Sequence, residues 1–342
     1  MEIVTRFLIA ILIILSFSLF VAVASNNPGE DYTKKKEVLS YIDLVSKKNN
    51  LDHADLMQLF KGVHTQHRVL KLMQSPAEAK PWADYRKIFI TERRIKKGVE
   101  FWKNNLEIFE EVENAYGVPK EILLAIIGVE TSYGSNIGSF PVFDTLATLG
   151  FGYEKRSKFF LSELTQLLLL AKNENLKIHQ LKGSYAGAMG LGQFMPSSYR
   201  HYAIDFNKDG RRDLWRSYPD IIASVANYFK QHGWEEGQPI ALQIEVNDQD
   251  LSFQPFLKKG MKPTIDLSHF KSISSISNIP ETNEEKVSFY EFKIGSEKQY
   301  WIGFNNFYVI TRYNHSPLYA MAVLQLSREI GDRIKDSQPH VE

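Results

Sequence analysis

The chain has 342 residues, 44% of them hydrophobic and 24% charged, with a formal net charge of +1 and no cysteine. That length suits about two domains, the composition excludes a disordered chain, and the charge balance excludes a strong pull toward nucleic acid or acidic lipid. Without thiols there is no disulfide scaffold and no lipid on an N-terminal cysteine, so stability rests on core burial, with a metal as the other available source.

In chain order, Arg6 precedes an apolar run from Phe7 to Ala24 that ends in Ala22-Val23-Ala24 before polar residues. This pattern predicts an export signal, residues 1–24, cleaved after Ala24. The run is also about as long as a minimal bilayer-spanning helix, so a retained membrane anchor is the competing reading. Either one places the rest of the chain outside the cytoplasm. From about 33 to 118, charged and apolar residues alternate at helical spacing, as in "ITERRIKKGVEFWKNNLEIFEEVENAYG". Further helices separated by glycine-rich turns are predicted to about Gly233. From about 239 the texture changes: "PIALQIEV", "KVSFYEFKI" and "QYWIGFNNFYVIT" favour β-branched and aromatic residues and predict a small antiparallel sheet. "SHFKSISSISNIPETNEEK" reads as a loop, and "PLYAMAVLQLSREIGDRI" as a closing helix.

The segment "EILLAIIGVETSYG" carries one acid, Glu130, near the end of an apolar helix. Pro119 suits the start of that helix and Gly134 its end, which frames about fifteen residues. Ile122, Ile126, Val129, Glu130 and Tyr133 share one face at helical spacing. Burial there would disfavour the charged form, which is how a glutamate becomes a general acid near neutral pH. The alternative is a half-exposed glutamate at a helix end.

Four longer stretches bear on that choice. "GVPKEILLAIIGVETSYGSNIGSFPVFDTLATLGF", "LKGSYAGAMGLGQFMPSSYRHYAIDFNKDGRRDLW", "SVANYFKQHGW" and "WIGFNNFYVITRYNHSPLYAMAV" together resemble the membrane-bound lytic murein transglycosylase B family, from about residue 80 to the C-terminus. The resemblance implies a mainly α (α+β) fold: a lysozyme-like helical catalytic core, a helical N-terminal domain and a small antiparallel β-domain. The corresponding boundaries are 30–117 joined by the C-terminal helix 317–336, 118–237 plus 301–316 for the core, and 238–300 for the β-domain. It also implies non-hydrolytic cleavage of the MurNAc-GlcNAc bond of peptidoglycan to 1,6-anhydro-MurNAc ends. Glu130 is then first acid, then base, with no cofactor for catalysis.

An ordinary glycosidase needs a second carboxylate. Asp144 is the first candidate, but it opens "DTLATLGF" and reads as a helix N-cap. Glu163 reads as a solvated helix residue. A missing partner suits attack by the sugar's own C6 hydroxyl, where proximity replaces an activated water.

The resemblance places Ser184 and Gln193, in "GSYAGAMGLGQFMP", at substrate-binding positions. Glycines 183, 187, 190 and 192 serve either close packing or backbone approach to a sugar chain. Tyr228, Tyr313, Asn314 and Tyr319 resemble cleft residues, and Tyr85 the far end of a groove, with core tyrosines as the other reading. Lys155 and Arg156 form a basic pair toward lactyl or peptide carboxylates. The family has two arginines there, and lysine keeps the charge but loses the bidentate fork.

"DFNKDGRRDLWRSYPD" is an independent signal. Asp205, Asn207 and Asp209 stand at positions one, three and five of a calcium loop, with Gly210 at the sharp turn and the Arg211 carbonyl next. Arg216 occupies the place of the closing glutamate. The family's longer EF-hand-like loop is closed by a later aspartate, whose counterpart is Asp220. A solvated Asp-Gly turn is the alternative to a structural Ca²⁺. The expected partners are peptidoglycan glycan strands and cell-wall synthesis proteins. Nucleic acid is not expected, and membrane only through the N-terminal segment of a periplasmic protein that is not a lipoprotein. Two other function classes stand beside the first: a hydrolytic muramidase, which needs a second acid, and a non-catalytic peptidoglycan-binding scaffold, against which the intact "GVETSYG" argues.

Overall fold

The computed structural model describes residues 31–74, 80–247, 252–271, 273, 276–277 and 286–336. The apolar run from Phe7 to Ala24, expected as an export signal or anchor, lies outside them. No helix among the described residues is long and apolar enough to cross a membrane.

The helices are, in order, α1 (Lys36–Asn49), α2 (His53–Lys61), α3 (His67–Leu72), α4 (Trp82–Phe89), α5 (Glu92–Lys103), α6 (Leu106–Tyr116) and α7 (Lys120–Thr131). There follow α8 (Val142–Gly152), α9 (Ser157–Asn173), α10 (Pro196–Tyr202), α11 (Tyr218–Gln231), α12 (Leu267–Lys271), α13 (Asn305–Tyr313) and α14 (Pro317–Asp336). The strands are β1 (Phe140–Pro141), β2 (Lys182–Gly183), β3 (Ala241–Val246), β4 (Ile265–Asp266), β5 (Ile276–Ser277), β6 (Lys286–Ile294) and β7 (Glu297–Gly303). The fold class is the mainly helical one with a small antiparallel sheet.

Contacts divide the chain into two compact units. One joins Glu78–Tyr133 to Tyr218–Glu342, and the other joins the described part of Leu12–Ala77 to Gly134–Ser217. This grouping cuts the expected 30–117 segment, because α1 to α3 find their apolar partners on α8 and α9. In that second unit the Tyr41 ring meets Phe60 and Phe151 edge-on at 5.9 and 5.6 Å, and Phe60 meets Phe143 at 5.2 Å.

In the first unit α14 packs on α4, α5, α7 and α13, and α11 packs on α6. Pro317 opens α14, where its missing N–H is one the helix could not have used. The sheet has the order β4-β6-β7-β3-β5, with every pair antiparallel. Gly295 at φ +62° makes the two-residue turn between β6 and β7. Phe253, Phe270, Phe289 and Tyr300 fill the sheet's own core.

Three local expectations change. "FNNFYVIT" is not strand: α13 begins at Asn305, because Asn306 is buried and its amide holds the Glu235 and Gln238 carbonyls at 2.7 and 3.1 Å. A short apolar run fits either period, and these hydrogen bonds fix the helix start. The predicted loop from Ser268 opens inside α12 and includes β5, while residues 278–285 lie outside the described ones. Helix α7 stops at Thr131, short of Gly134, because Ser132 and Tyr133 already turn left-handed at φ +49° and +57°.

Candidate active site and candidate calcium loop

Every residue of α7 from Ile122 to Thr131 is buried, so the helix has no solvent face and Glu130 is enclosed whatever its register. Glu130 is 2% exposed. Its Oε1 accepts a hydrogen bond of 2.6 Å from the hydroxyl of Tyr319, on the first turn of α14. The Tyr319 ring lies parallel to that of Tyr313, 6.5 Å away at an interplanar angle of 4°. Burial first, and then the charge of Glu130, hold both phenols well above the ordinary tyrosine range, so they stay protonated.

The tyrosine cluster continues outward from Tyr313. Tyr228 meets it edge-on at 4.8 Å, donates to the Arg312 carbonyl at 2.6 Å, and stacks on His232 at 4.0 Å. Burial holds the His232 imidazole below its usual value, opposed by its bond to the Tyr228 carbonyl. Asn314 follows directly, 1% exposed. Tyr85 is 1% exposed, packs against Phe89 at 5.0 Å and stacks with Trp82, and it acts electrostatically on Tyr319. These tyrosines therefore wall the acid's surroundings; little of their faces is open for stacking on a sugar.

Two features of this surround were missed in the sequence. His232 carried no ligand spacing, and only its place in "YFKQHGW" sets it one turn from Tyr228. Tyr133 inserts its hydroxyl beside Gly98 and Gly128, where a β-carbon would come within 2.4 and 2.5 Å of it. The spacing of two glycines to one tyrosine was the available signal.

The second unit holds the glycine-rich segment. Ser184 Oγ accepts from the Ala186 and Ala188 amides at 3.2 and 3.0 Å, closing a tight turn. Gln193 is 3% exposed with φ +50°, and its Nε2 donates to the Gly190 and Ile137 carbonyls at 2.9 and 3.2 Å. Gly190, at φ +70°, could not carry a β-carbon, which would lie 2.4 Å from the Leu214 carbonyl oxygen. The glycines here permit close packing. Lys155 is exposed, while the Arg156 guanidinium lies over the Phe159 ring at 4.3 Å, and burial lowers its basicity.

The two alternative carboxylates have other engagements. Asp144 is not a cap: α8 starts two residues earlier, with Pro141 at the N-cap position. Its carboxyl is held above the usual range by burial, opposed by a bond from the His64 backbone. Glu163 is not solvated. It is 5% exposed and accepts from the Ser197 amide at 2.9 Å and the Ser197 hydroxyl at 2.7 Å, so it caps α10. Burial raises its pKa against those two bonds.

The loop after α10 turns its side chains inward. Asp205 accepts from the Asp209 and Gly210 amides at 3.1 and 2.9 Å, Asn207 Oδ1 from Asp209 at 3.1 Å, and Asp209 from Arg211 at 2.9 Å. Gly210 takes the sharp turn at φ +87°. Asp220 lies in the first turn of α11, fully buried. Among the described residues no three His, Cys, Asp or Glu side chains gather as a metal cluster. The loop instead offers two carboxylates, an amide oxygen and a carbonyl, a hard-oxygen set suited to calcium.

A dry carboxyl that accepts from a buried phenol is the equipment of a general acid, and it sits here in a mainly helical chain with a small sheet. The transglycosylase SLT domain model matches residues 34–328, and the chain belongs to that family. It is 40% identical over 312 residues to membrane-bound lytic murein transglycosylase B of Escherichia coli (strain K12), covering 88% of this chain and 84% of that one. Among solved structures, the catenated lytic transglycosylase SltB1 of Pseudomonas aeruginosa matches with TM-score 0.84 and 43% identity, over 89% of this chain and all of that one. The Escherichia coli lytic transglycosylase Slt35 in complex with calcium matches with TM-score 0.81 and 39% identity, over 90% and 96%.

Proposed function

We propose that Glu130 alone carries out general acid and then general base catalysis on the MurNAc-GlcNAc bond of peptidoglycan. The enzyme class is that of the family: a lytic transglycosylase, a lyase that cleaves peptidoglycan strands. The protonated Glu130 gives its proton to the glycosidic oxygen as the C1–O bond breaks. The resulting carboxylate then takes the proton of the C6 hydroxyl, whose oxygen closes on C1 to form the 1,6-anhydro ring, and Glu130 ends as it began. The observation that carries this reading is the enclosure of Glu130, 2% exposed with the Tyr319 hydroxyl at 2.6 Å. Burial favours the neutral acid before substrate arrives, and the phenol stabilises the carboxylate once the proton has left. Asp144 and Glu163, the other candidates for a water-activating base, are engaged by His64 and Ser197.

In the unit that holds the acid, Tyr85, Tyr228, Tyr313, Asn314 and Tyr319 are assigned to the substrate side; in the other unit, Ser184, Gln193, Lys155 and Arg156 are assigned as binding residues. With Nε2 engaged by two carbonyls, Gln193 offers its amide oxygen. By the family resemblance, 118–237 plus 301–316 are assigned to the catalytic core, 30–117 with 317–336 to a helical part and 238–300 to a β-part. A structural calcium is assigned to the loop, at Asp205, Asn207, Asp209 and the Arg211 carbonyl; the closing role that the resemblance gives Asp220 falls in the other unit. When bound, the ion supplies fixed positive charge that stabilises the loop and takes no part in bond cleavage. The leader ending at Ala24 assigns the chain to the periplasm, by cleavage or as an anchor.

The test is digestion of purified sacculi by wild type and Glu130→Gln, read by mass spectrometry. Anhydro-muropeptides from wild type alone are expected. Reducing-end products would indicate a muramidase, and binding without products a scaffold; either outcome overturns the proposal.

A further inference from the structure

The Gly134–Ser217 unit contains a cavity of about 740 Å³, within the size range of ligand sites. Its lining is unbalanced in charge. Lys182, Arg211, Arg212 and Arg216 line it together with Glu174 and Asp213. The two acids are already engaged. Glu174 pairs with the Arg212 guanidinium, and Asp213 Oδ1 accepts from the Trp215 and Arg216 amides at 2.9 and 3.1 Å. Arg211 and Arg216 are exposed and have no carboxylate within ion-pair distance among the described residues. Lys182 is exposed as well, has no carboxylate within ion-pair distance among the described residues, and acts electrostatically on Asp144. Three cations are thus gathered on one concave surface without an anion of their own. Like charges brought together repel, and an anion that joins them relieves that repulsion. Guanidinium groups are planar forks that match carboxylates two oxygens at a time. Asn175 and Gln180, both exposed on the same lining, add amide donors and acceptors suited to a peptide backbone.

We propose that this cavity binds the carboxylate-bearing stem peptide of peptidoglycan, with Arg211, Arg216 and Lys182 taking its free carboxylates. The inference rests on the peptidoglycan reading for the identity of the ligand. A stem peptide presents carboxylates at close intervals on a short backbone, which the three cations and two amides complement. The site recognises cross-linked or uncross-linked stems as peptides, independently of the sugar being cut.

The experiment is calorimetric titration of the full chain carrying Glu130→Gln with the free stem pentapeptide L-Ala-γ-D-Glu-diaminopimelate-D-Ala-D-Ala. Arg216→Gln and Lys182→Gln, singly and together, and Arg216→Lys are titrated on the same background. Binding to the parent is expected, with Kd raised about tenfold by Arg216→Gln, further by the double change, and partly restored by Arg216→Lys. The peptide with its carboxylates amidated should bind no better than the double variant. Absence of binding, equal binding by the double variant, or equal competition by inorganic phosphate each overturns the proposal. Since no glycosidic bond is cut here, a failed sacculus digest with retained Arg216-dependent binding would reject the catalytic reading and leave the peptide site standing.

Discussion

Removing one oxygen tests how Glu130 is controlled. Tyr319→Phe deletes the donor 2.6 Å from Oε1 and keeps the ring that lies parallel to Tyr313. A hydrogen bond to a charged group contributes roughly 1.5–3 kcal/mol, and one to a neutral group roughly 0.5–1.5 kcal/mol. The phenol therefore favours the carboxylate over the carboxylic acid by about 1 kcal/mol, a factor of about five in their ratio. Without it, the developing carboxylate loses that support as the proton leaves. The plateau rate of anhydro-muropeptide release should fall about fivefold. Loss of a bond that favours the carboxylate should also let the acid hold its proton to higher pH than in wild type, so the descending limb of the pH–rate curve moves to higher pH. The assay is initial product release from sacculi across pH, with urea unfolding to confirm that the fold has lost no more than about 1 kcal/mol. An unchanged plateau with an unmoved limb, or a limb moved to lower pH, would refute this account of the acid.

Other outcomes follow from the second unit. Glu163 is raised above its ordinary value of 4.5 by burial, so its contribution to stability is full below that value and is lost as pH rises through the folded-state value. Glu163→Gln should therefore gain on wild type as pH rises, with urea midpoints read from below 4.5 to neutrality; parallel curves would contradict it. Gly190→Ala, at φ +70° with its new carbon 2.4 Å from a backbone oxygen, should destabilise by about 2–4 kcal/mol in the same assay. Chelation should lower the melting temperature and added calcium restore it. Asp205→Asn should blunt that response, and a melting temperature indifferent to calcium would reject the loop assignment.

How much of this was legible in the chain depends on where each constraint acts. The apolar sequence around Glu130 announced burial because ten consecutive residues, Ile122 to Thr131, had no polar face to offer water. Strands β3 and β6 announced themselves by local composition. What failed were decisions made by distant partners. Glu163 looks solvated in "FFLSELTQLLLL", and only the arrival of Ser197, 34 residues later, makes its carboxylate a cap. The start of α13 is fixed by hydrogen bonds from Asn306 to a turn some 70 residues earlier. Asp144 misled for the opposite reason: the local cap preference was sound, but the chain turned into helix two residues sooner, leaving the acid inside the first turn.

The bond between Glu130 and Tyr319 spans 189 residues of sequence. A chain is made from its N-terminus at roughly 5–20 residues per second, so the acid precedes its phenol by about 10–40 s. Through that interval, and in any chain that ends before Pro317, the carboxyl exists without the helix that encloses it. A wall-cutting enzyme built this way completes the surroundings of its acid only once α14 has been made.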